Sequence, residues 1–140
     1  MKRSLVLLAC QILFIPTAIA QSFFCVAELS AGFKWKDSKW ISTTFTTEDD
    51  RYVIRPIDNG DESESFGVFR MGNEYPIHKC RNSTGSTEKL HLVCGGLGYG
   101  FIFNQEHLRF QDYYGIGYVS GQDGSANTPS LTAGRCSRIE

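Results

Sequence analysis

After Gln21 the chain is divided into short runs rich in β-branched and aromatic residues, and Gly, Asn, Asp and Pro separate these runs. No amphipathic helical pattern persists over several turns, whereas apolar and polar residues alternate in most of the runs. Short alternating runs at intervals of about 8 to 12 residues are typical of all-β sandwiches and barrels. The sequence therefore predicts an all-β fold, a small antiparallel β-barrel or sandwich of about eight strands.

The turn residues suggest how these strands are connected. A charged turn at 36–38 separates two runs that each contain a tryptophan, and Gly72-Asn73 is typical of a two-residue hairpin turn. Sequential hairpins favour a meander barrel over a Greek-key sandwich. The predicted strand segments are 23–29, 33–35, 39–45, 51–57, 66–71, 74–80, 89–94, 99–104, 108–113, 116–120 and 131–139.

The first twenty residues have the features of a secretory signal peptide. Lys2 and Arg3 precede an apolar run that ends before Pro16, and Ala18-Ile19-Ala20 supplies the small residues of a cleavage site. We expect cleavage before Gln21 and a single β-domain over 21–140, in the periplasm or secreted. A lipoprotein anchored through Cys10 is the alternative, although the apolar stretch before Cys10 is short for an export signal.

Four of the five cysteines lie in the predicted mature chain. An even number of cysteines in a small exported domain indicates disulfides, and four cysteines allow three connectivities. We favour Cys80–Cys94, which would clamp two neighbouring strands, and Cys25–Cys136, which would tie the first strand to the last. On the loop-entropy model these bonds contribute roughly 3 and 5 kcal/mol.

The same region offers a second interpretation, a metal site. His78, Cys80, His91 and Cys94 are two nitrogen and two sulfur donors, a set that can hold zinc tetrahedrally. Thiols in an oxidising compartment usually become disulfides, so we predict neither a metal nor another cofactor.

The charge balance bears on the class of partner. Removal of Lys2 and Arg3 with the leader changes the net charge from −1 by two units, to −3. Binding to nucleic acid or to an anionic membrane surface requires a basic patch, which this composition does not favour. No segment after the leader is long and apolar enough for a membrane span. An envelope or extracellular protein is the expected partner.

Two pairs of aromatic residues are candidates for a binding surface. Trp35 and Trp40 flank the charged turn at 36–38, and Tyr113 and Tyr114 end a strand next to a glycine. Adjacent tyrosines on one strand cannot both face the core, so one of them is expected to be exposed. Exposed aromatic side chains are enriched in contact surfaces.

A hydrolase would need a nucleophile, a base and an orienting acid. His78, His91 and His107 are the candidate bases, and each has a glutamate nearby in sequence. No serine lies in a G-x-S-x-G elbow, and no free cysteine is expected. No catalytic residue is therefore predicted.

Several short motifs are shared with a group of exported proteins. They are Gly32-Phe33, Lys39-Trp40, Thr44-Phe45, Tyr52-Val53-Ile54, Phe103-Asn104, Arg109-Phe110, Gly117-Tyr118, Thr128-Pro129 and Gly134-x-Cys136. On these motifs the chain resembles a group of short exported proteobacterial proteins of uncharacterised function. The resemblance implies a periplasmic or secreted β-domain and assigns no catalytic residues. In size, export and disulfides the chain is also similar to small barrel inhibitors of lysozyme in bacterial envelopes.

These features favour a non-enzymatic binding or inhibitor module of the bacterial envelope. A small periplasmic hydrolase or metal-dependent enzyme is one alternative, and a structural envelope protein without a discrete ligand is another.

Overall fold

A computed structural model describes residues 21–58, 64–82 and 91–139. The predicted signal peptide over 1–20, and with it the alternative of lipidation at Cys10, lies outside the described residues. Residues 59–63, in the acidic stretch between the predicted strands 51–57 and 66–71, and the start of the predicted strand 89–94 also lie outside them.

Nine strands and two short helical segments account for most of the described chain. In chain order they are β1 Ser22–Lys36, β2 Lys39–Thr44, β3 Arg51–Pro56, β4 Phe66–Arg70, β5 His78–Asn82, β6 His91–Gly96, β7 Tyr99–Asn104, β8 Arg109–Tyr114, the one-turn helix α1 Ile116–Val119, a 3₁₀ turn at Ser125–Asn127, and β9 Ser130–Ile139.

The strands form a closed antiparallel meander barrel. From β3 to β9 each strand pairs with its neighbour in sequence, and β1 pairs with both β3 and β9. Eight strands therefore close the barrel, and closure leaves no free sheet edge in its wall. The prediction of an all-β fold is confirmed, and the barrel is the form that the chain adopts.

The ninth strand, β2, lies outside the barrel. The fifteen-residue β1 pairs with β3 near its start and with β9 from Ser22 to Gly32, and its last six residues pair with β2. Asp37 and Ser38 connect β1 to β2, and both have positive φ angles of 50° and 58°, which is typical of a type I′ hairpin turn. The β1–β2 hairpin thus projects beyond the wall.

Aromatic side chains fill the apolar part of the barrel. Phe101 stacks on Phe110 at 4.8 Å between ring centroids, and Phe23 meets Phe103 edge-on at 4.7 Å. Tyr52 packs edge-on against both Phe101 and Phe110. Side chains rather than a channel fill the interior of a barrel with eight strands.

The two disulfides join the cysteines in the predicted pairs. Cys25 lies opposite Cys136 where β1 and β9 close the barrel, and Cys80 lies opposite Cys94 on β5 and β6. Such bonds fit an oxidising compartment outside the cytoplasm. Because the sulfur atoms of Cys80 and Cys94 are bonded to each other, these two residues do not form the alternative zinc site.

The prediction that Gly72-Asn73 is a two-residue hairpin turn is wrong, because the connection between the two strands is longer. A turn does form there, since the Asn73 amide donates to the Arg70 carbonyl, but β5 begins only at His78. Pro76 has no amide hydrogen to donate to a sheet ladder, and it lies in this seven-residue connection. The strand predicted over 74–80 is therefore replaced by a loop followed by a shorter strand.

The segment 116–120 does not extend the sheet. It forms helix α1, with the Ser120 amide donating to the Ile116 carbonyl. The neighbouring β8 is already paired with β7 on one side and β9 on the other, so no edge remains for a further strand. Among the described residues, no helix is long and apolar enough to cross a membrane.

Candidate functional site

One end of the barrel interior is polar. Alternation along β8 turns Asp112 to the same side as the buried Phe110, and alternation along β5 turns His78 to the same side as the buried Cys80. Tyr52 on β3 reaches the same place, at the end of the interior opposite Phe23 and Phe103. We call Asp50, Tyr52, Arg70, His78 and Asp112 the mouth cluster.

Asp112 is the centre of this cluster. The hydroxyl of Tyr52 donates a hydrogen bond of 3.1 Å to Asp112 Oδ2. The Nε2 atom of His78 lies 3.6 Å from Asp112 Oδ1, which is longer than a hydrogen bond, and the His78 ring stacks on Tyr99 at 5.9 Å between centroids. Within the described part of the chain, Asp112 thus has one close side-chain donor, which is a neutral phenol.

Arg70 and Asp50 form the other charged contact of the cluster. The Arg70 guanidinium donates to the Asp50 carboxylate at the edge of the mouth. Burial lowers the pKa of Arg70, but the hydrogen bond and the negative charge of Asp50 outweigh this effect and raise it. The positive charge of Arg70 therefore has an acidic partner.

Tyr52 remains a hydrogen-bond donor over a wide pH range. Burial raises the pKa of its phenol, and the negative charge of Asp112 raises that pKa further. The tyrosine ring itself is almost completely inaccessible to solvent. Tyr52 thus links the apolar core to the charged groups at the mouth.

His78 carries a buried polar atom without a partner. Its side chain is 10% exposed, and its Nδ1 atom has no hydrogen-bond partner among the described residues. Buried polar atoms are nearly always hydrogen-bonded to protein or to ordered water. The Nδ1 atom is itself out of contact with solvent, so it is an unsatisfied polar atom beside the cavity that His78 lines.

A cavity of about 530 Å³ adjoins the cluster. Its volume lies within the range of about 300 to 1,000 Å³ that is usual for small-molecule sites, and such sites recur in the mouths of β-barrels. A smaller cavity of about 230 Å³ shares Tyr52, Arg70 and Asp112 with it. We call the larger cavity, at this open end of the barrel, the mouth cavity. It is lined by Tyr52, Arg70, Asn73, Ile77, His78, Tyr99, Asp112, Tyr113, Tyr114 and Ile116.

The structure separates the four predicted binding residues into two places. Tyr113 and Tyr114 both line the mouth cavity, and both are half-buried, so the expectation that one of them is exposed is wrong. The Tyr114 hydroxyl donates to Asn127 Oδ1 at 3.3 Å, which ties the end of β8 to the 3₁₀ turn.

Trp35 and Trp40 lie on the β1–β2 hairpin instead. They pair across the two strands with 5.1 Å between ring centroids, and Trp40 packs on Tyr118 of α1 at 5.6 Å. The indole nitrogen of Trp40 donates to Asp123 at 2.9 Å. These contacts hold one face of the hairpin against the segment that follows β8.

The other two histidines do not join His78. His91 Nε2 lies 2.9 Å from the side-chain Nδ2 of Asn104, and both residues line a separate cavity of about 480 Å³ on the outer wall of the barrel. His107 is exposed in the turn between β7 and β8. The outer cavity is open, and its charged residues include Glu28 and Arg135, which pair with each other at 3.3 Å.

Two of the three kinds of group that a hydrolytic site needs lie close together in the cluster. His78 and Asp112 have the chemistry of a base and an orienting acid. Among the described residues that line the mouth cavity, none is a serine, threonine or cysteine that could act as a nucleophile. Within the described ranges, no three His, Cys, Asp or Glu side chains converge on a point where a metal ion could bind.

Of the mouth cluster, only His78 was a candidate from the sequence, and Asp50, Tyr52, Arg70 and Asp112 were missed. A signal for Asp112 was present, because a carboxylate stands two residues after Phe110, on the face of β8 that the alternation directs inward. A charged residue at such a position is rare unless it is paired or functional. Nothing in the local sequence indicates that Tyr52 and His78 lie beside it.

Comparison with known proteins adds no relative to this description. No family model matches the chain, and neither the curated proteins nor the solved structures give a significant match. The resemblance to short exported proteins therefore stays a prediction, and the geometry of the mouth is the remaining basis for a functional proposal.

Proposed function

We propose that the protein is a non-enzymatic binding module of the bacterial envelope, periplasmic or secreted, and that a small ligand enters the mouth of the barrel. The observation that carries the proposal is the mouth cavity, because it has a usual ligand-site volume and is lined by His78 and Asp112 together with tyrosine side chains. The disulfides and the predicted leader support the location.

The lining of the cavity has the composition of a binding site. Tyrosine and isoleucine side chains supply apolar surface, and His78, Asp112 and Arg70 supply a few polar groups. Such a mixture buries the apolar part of a ligand, and the polar groups determine its orientation. Most residues that line the cavity lie on β-strands of a disulfide-linked barrel, so little of their conformational entropy is lost when a ligand binds.

The proposal is tested by a fragment screen with amide chemical shifts as the readout. We expect shifts concentrated at Tyr99, Tyr113 and Ile116, and we expect Ile77→Trp, which fills the cavity from its loop side, to abolish them. Val93→Trp is the matched control, since Val93 is an exposed apolar residue on the outer face of β6. Fragments that bind elsewhere, or binding that persists in Ile77→Trp, would refute a ligand site in the mouth.

A second candidate is an inhibitor that docks on a protein partner through the β1–β2 hairpin. The supporting observation is a face of the hairpin that carries Lys34, Lys36 and Lys39, opposite the tryptophan face. An inhibitor of this kind would reduce muramidase activity, and the charge-reversed variant Lys34→Glu/Lys36→Glu would lose the effect. An unchanged muramidase rate with excess protein argues against this candidate.

A further inference from the structure

We propose that the mouth cavity binds an organic cation, with its ammonium group at Asp112 and its apolar part against the tyrosine rings; this inference rests on the proposed function and specifies the ligand class.

The charges that line the mouth are not balanced. Arg70 is paired with Asp50, so its charge is already compensated. Asp112 receives one hydrogen bond, from the neutral hydroxyl of Tyr52, and His78 Nε2 is too distant for another. Among the described residues, Asp112 therefore has no cationic partner within hydrogen-bond distance.

Partial burial makes this lack of a partner costly. The Asp112 side chain is 24% exposed, so most of its surface is removed from bulk water. A carboxylate in such surroundings is stabilised by a cation or by several hydrogen bonds, and a charged hydrogen bond is stronger than a neutral one. A ligand ammonium group supplies both the charge and the donors.

The aromatic side chains of the cavity suit the same ligand. Tyr99, Tyr113 and Tyr114 line it together with Asp112, and the face of an aromatic ring carries negative partial charge. Cations are attracted to such faces, and aromatic cages recognise quaternary ammonium groups in this way. An anionic ligand would meet repulsion from both the rings and Asp112.

The first test compares probes of one shape and different charge on the wild-type protein. Benzylamine, benzyl alcohol and benzoate share a ring and differ in carrying a positive, a neutral and a negative group. We expect calorimetry at neutral pH to show at least tenfold tighter binding of benzylamine than of benzyl alcohol, with benzoate weakest. Amide shifts at Tyr99 and Tyr113 would locate the bound amine.

The second test removes the carboxylate charge without changing its shape. Asp112→Asn is expected to lower benzylamine affinity at least tenfold and to leave benzyl alcohol affinity nearly unchanged. Asp123→Asn is the matched control, because Asp123 contacts Trp40 on the hairpin and does not line the cavity. Circular dichroism checks that both variants fold.

The outcomes separate this inference from the proposed function. If benzyl alcohol or benzoate binds in the mouth as tightly as benzylamine, the cation inference is overturned and the binding module remains. If no probe binds wild-type protein but the fragment screen finds other ligands in the mouth, the cation inference is again overturned and the binding module again remains. If neither experiment finds a ligand in the mouth, both proposals fail.

The same chemistry occurs in free amines and in lysine side chains of proteins. Nα-acetyl-lysine amide, as a fourth probe, distinguishes these sources. If this probe binds more tightly than benzylamine, the inference is supported and the natural ligand is a lysine side chain of a protein. Tighter binding of benzylamine supports it with a small free amine.

Discussion

Tyr52→Phe should change both the stability of the barrel and the way that stability depends on pH. The substitution keeps the buried ring, which packs against Phe101 and Phe110, and removes the hydroxyl that donates to Asp112 at 3.1 Å. Loss of a hydrogen bond to a charged, partly buried acceptor costs about 1.5 to 3 kcal/mol. We expect the variant to be less stable than the wild type by that amount at pH 7.

The pH dependence follows from the raised pKa of Tyr52. In the unfolded chain this phenol titrates near pH 10, whereas in the folded protein it stays protonated to higher pH. Above about pH 10 the unfolded state therefore binds fewer protons than the folded state, and stability falls by up to about 1.4 kcal/mol per pH unit. Below pH 10 this contribution is fully present, and it is lost as the pH rises toward the folded pKa.

The assay is urea denaturation at pH 7, 10 and 11 of the wild type, Tyr52→Phe and the control Tyr75→Phe. Tyr75 is 80% exposed, so its hydroxyl should matter little at any pH. The difference in the free energy of unfolding between wild type and Tyr52→Phe should narrow from pH 10 to 11, because the variant lacks the titrating phenol. A difference that stays constant across this range would refute the reasoning about burial and Asp112.

Two further predictions concern the barrel wall. Replacing Cys25 and Cys136 by serine should lower the free energy of unfolding by nearly 5 kcal/mol, because this bond closes a loop with a separation of 111 residues. The same replacement of Cys80 and Cys94, which are 14 residues apart, should lower it by about 3 kcal/mol. Urea denaturation measures both effects, and equal shifts of the two midpoints would contradict the loop-entropy account. Gly134→Ala should destabilise by more than 1 kcal/mol, since the added methyl group would meet the backbone of β1; thermal unfolding measures this, and an unchanged midpoint would show that β1 can move away.

The local pattern of the chain was sufficient for much of the fold. Alternation along the predicted strands 99–104 and 108–113 turns Phe101 and Phe103, and likewise Phe110, to the apolar face, and all three are buried. The number and compartment of the cysteines indicated disulfides, and their positions near the first and last strands suggested Cys25–Cys136. The β-strands and the disulfide bonds could be predicted because alternation and the number of cysteines can be read directly from the sequence.

The strands predicted over 74–80 and 116–120 were wrong for a common reason, which is that strand formation depends on the pairing available in the sheet. The run at 116–120 has residues compatible with a strand, but both edges of β8 are occupied and the run forms a helical turn. The segment after Gly72 leaves the sheet for several residues before β5 begins. A short segment does not reveal whether a partner strand is available, since that depends on residues far away in the chain.

The candidate site was decided by the tertiary structure. Tyr52, His78 and Asp112 come from β3, β5 and β8, and Tyr52 and Asp112 are 60 positions apart in sequence. By itself the sequence determined which residues of each strand face inward. Only closure of the barrel decided which inward-facing residues meet, because contacts across the interior depend on strand order and register rather than on any local pattern.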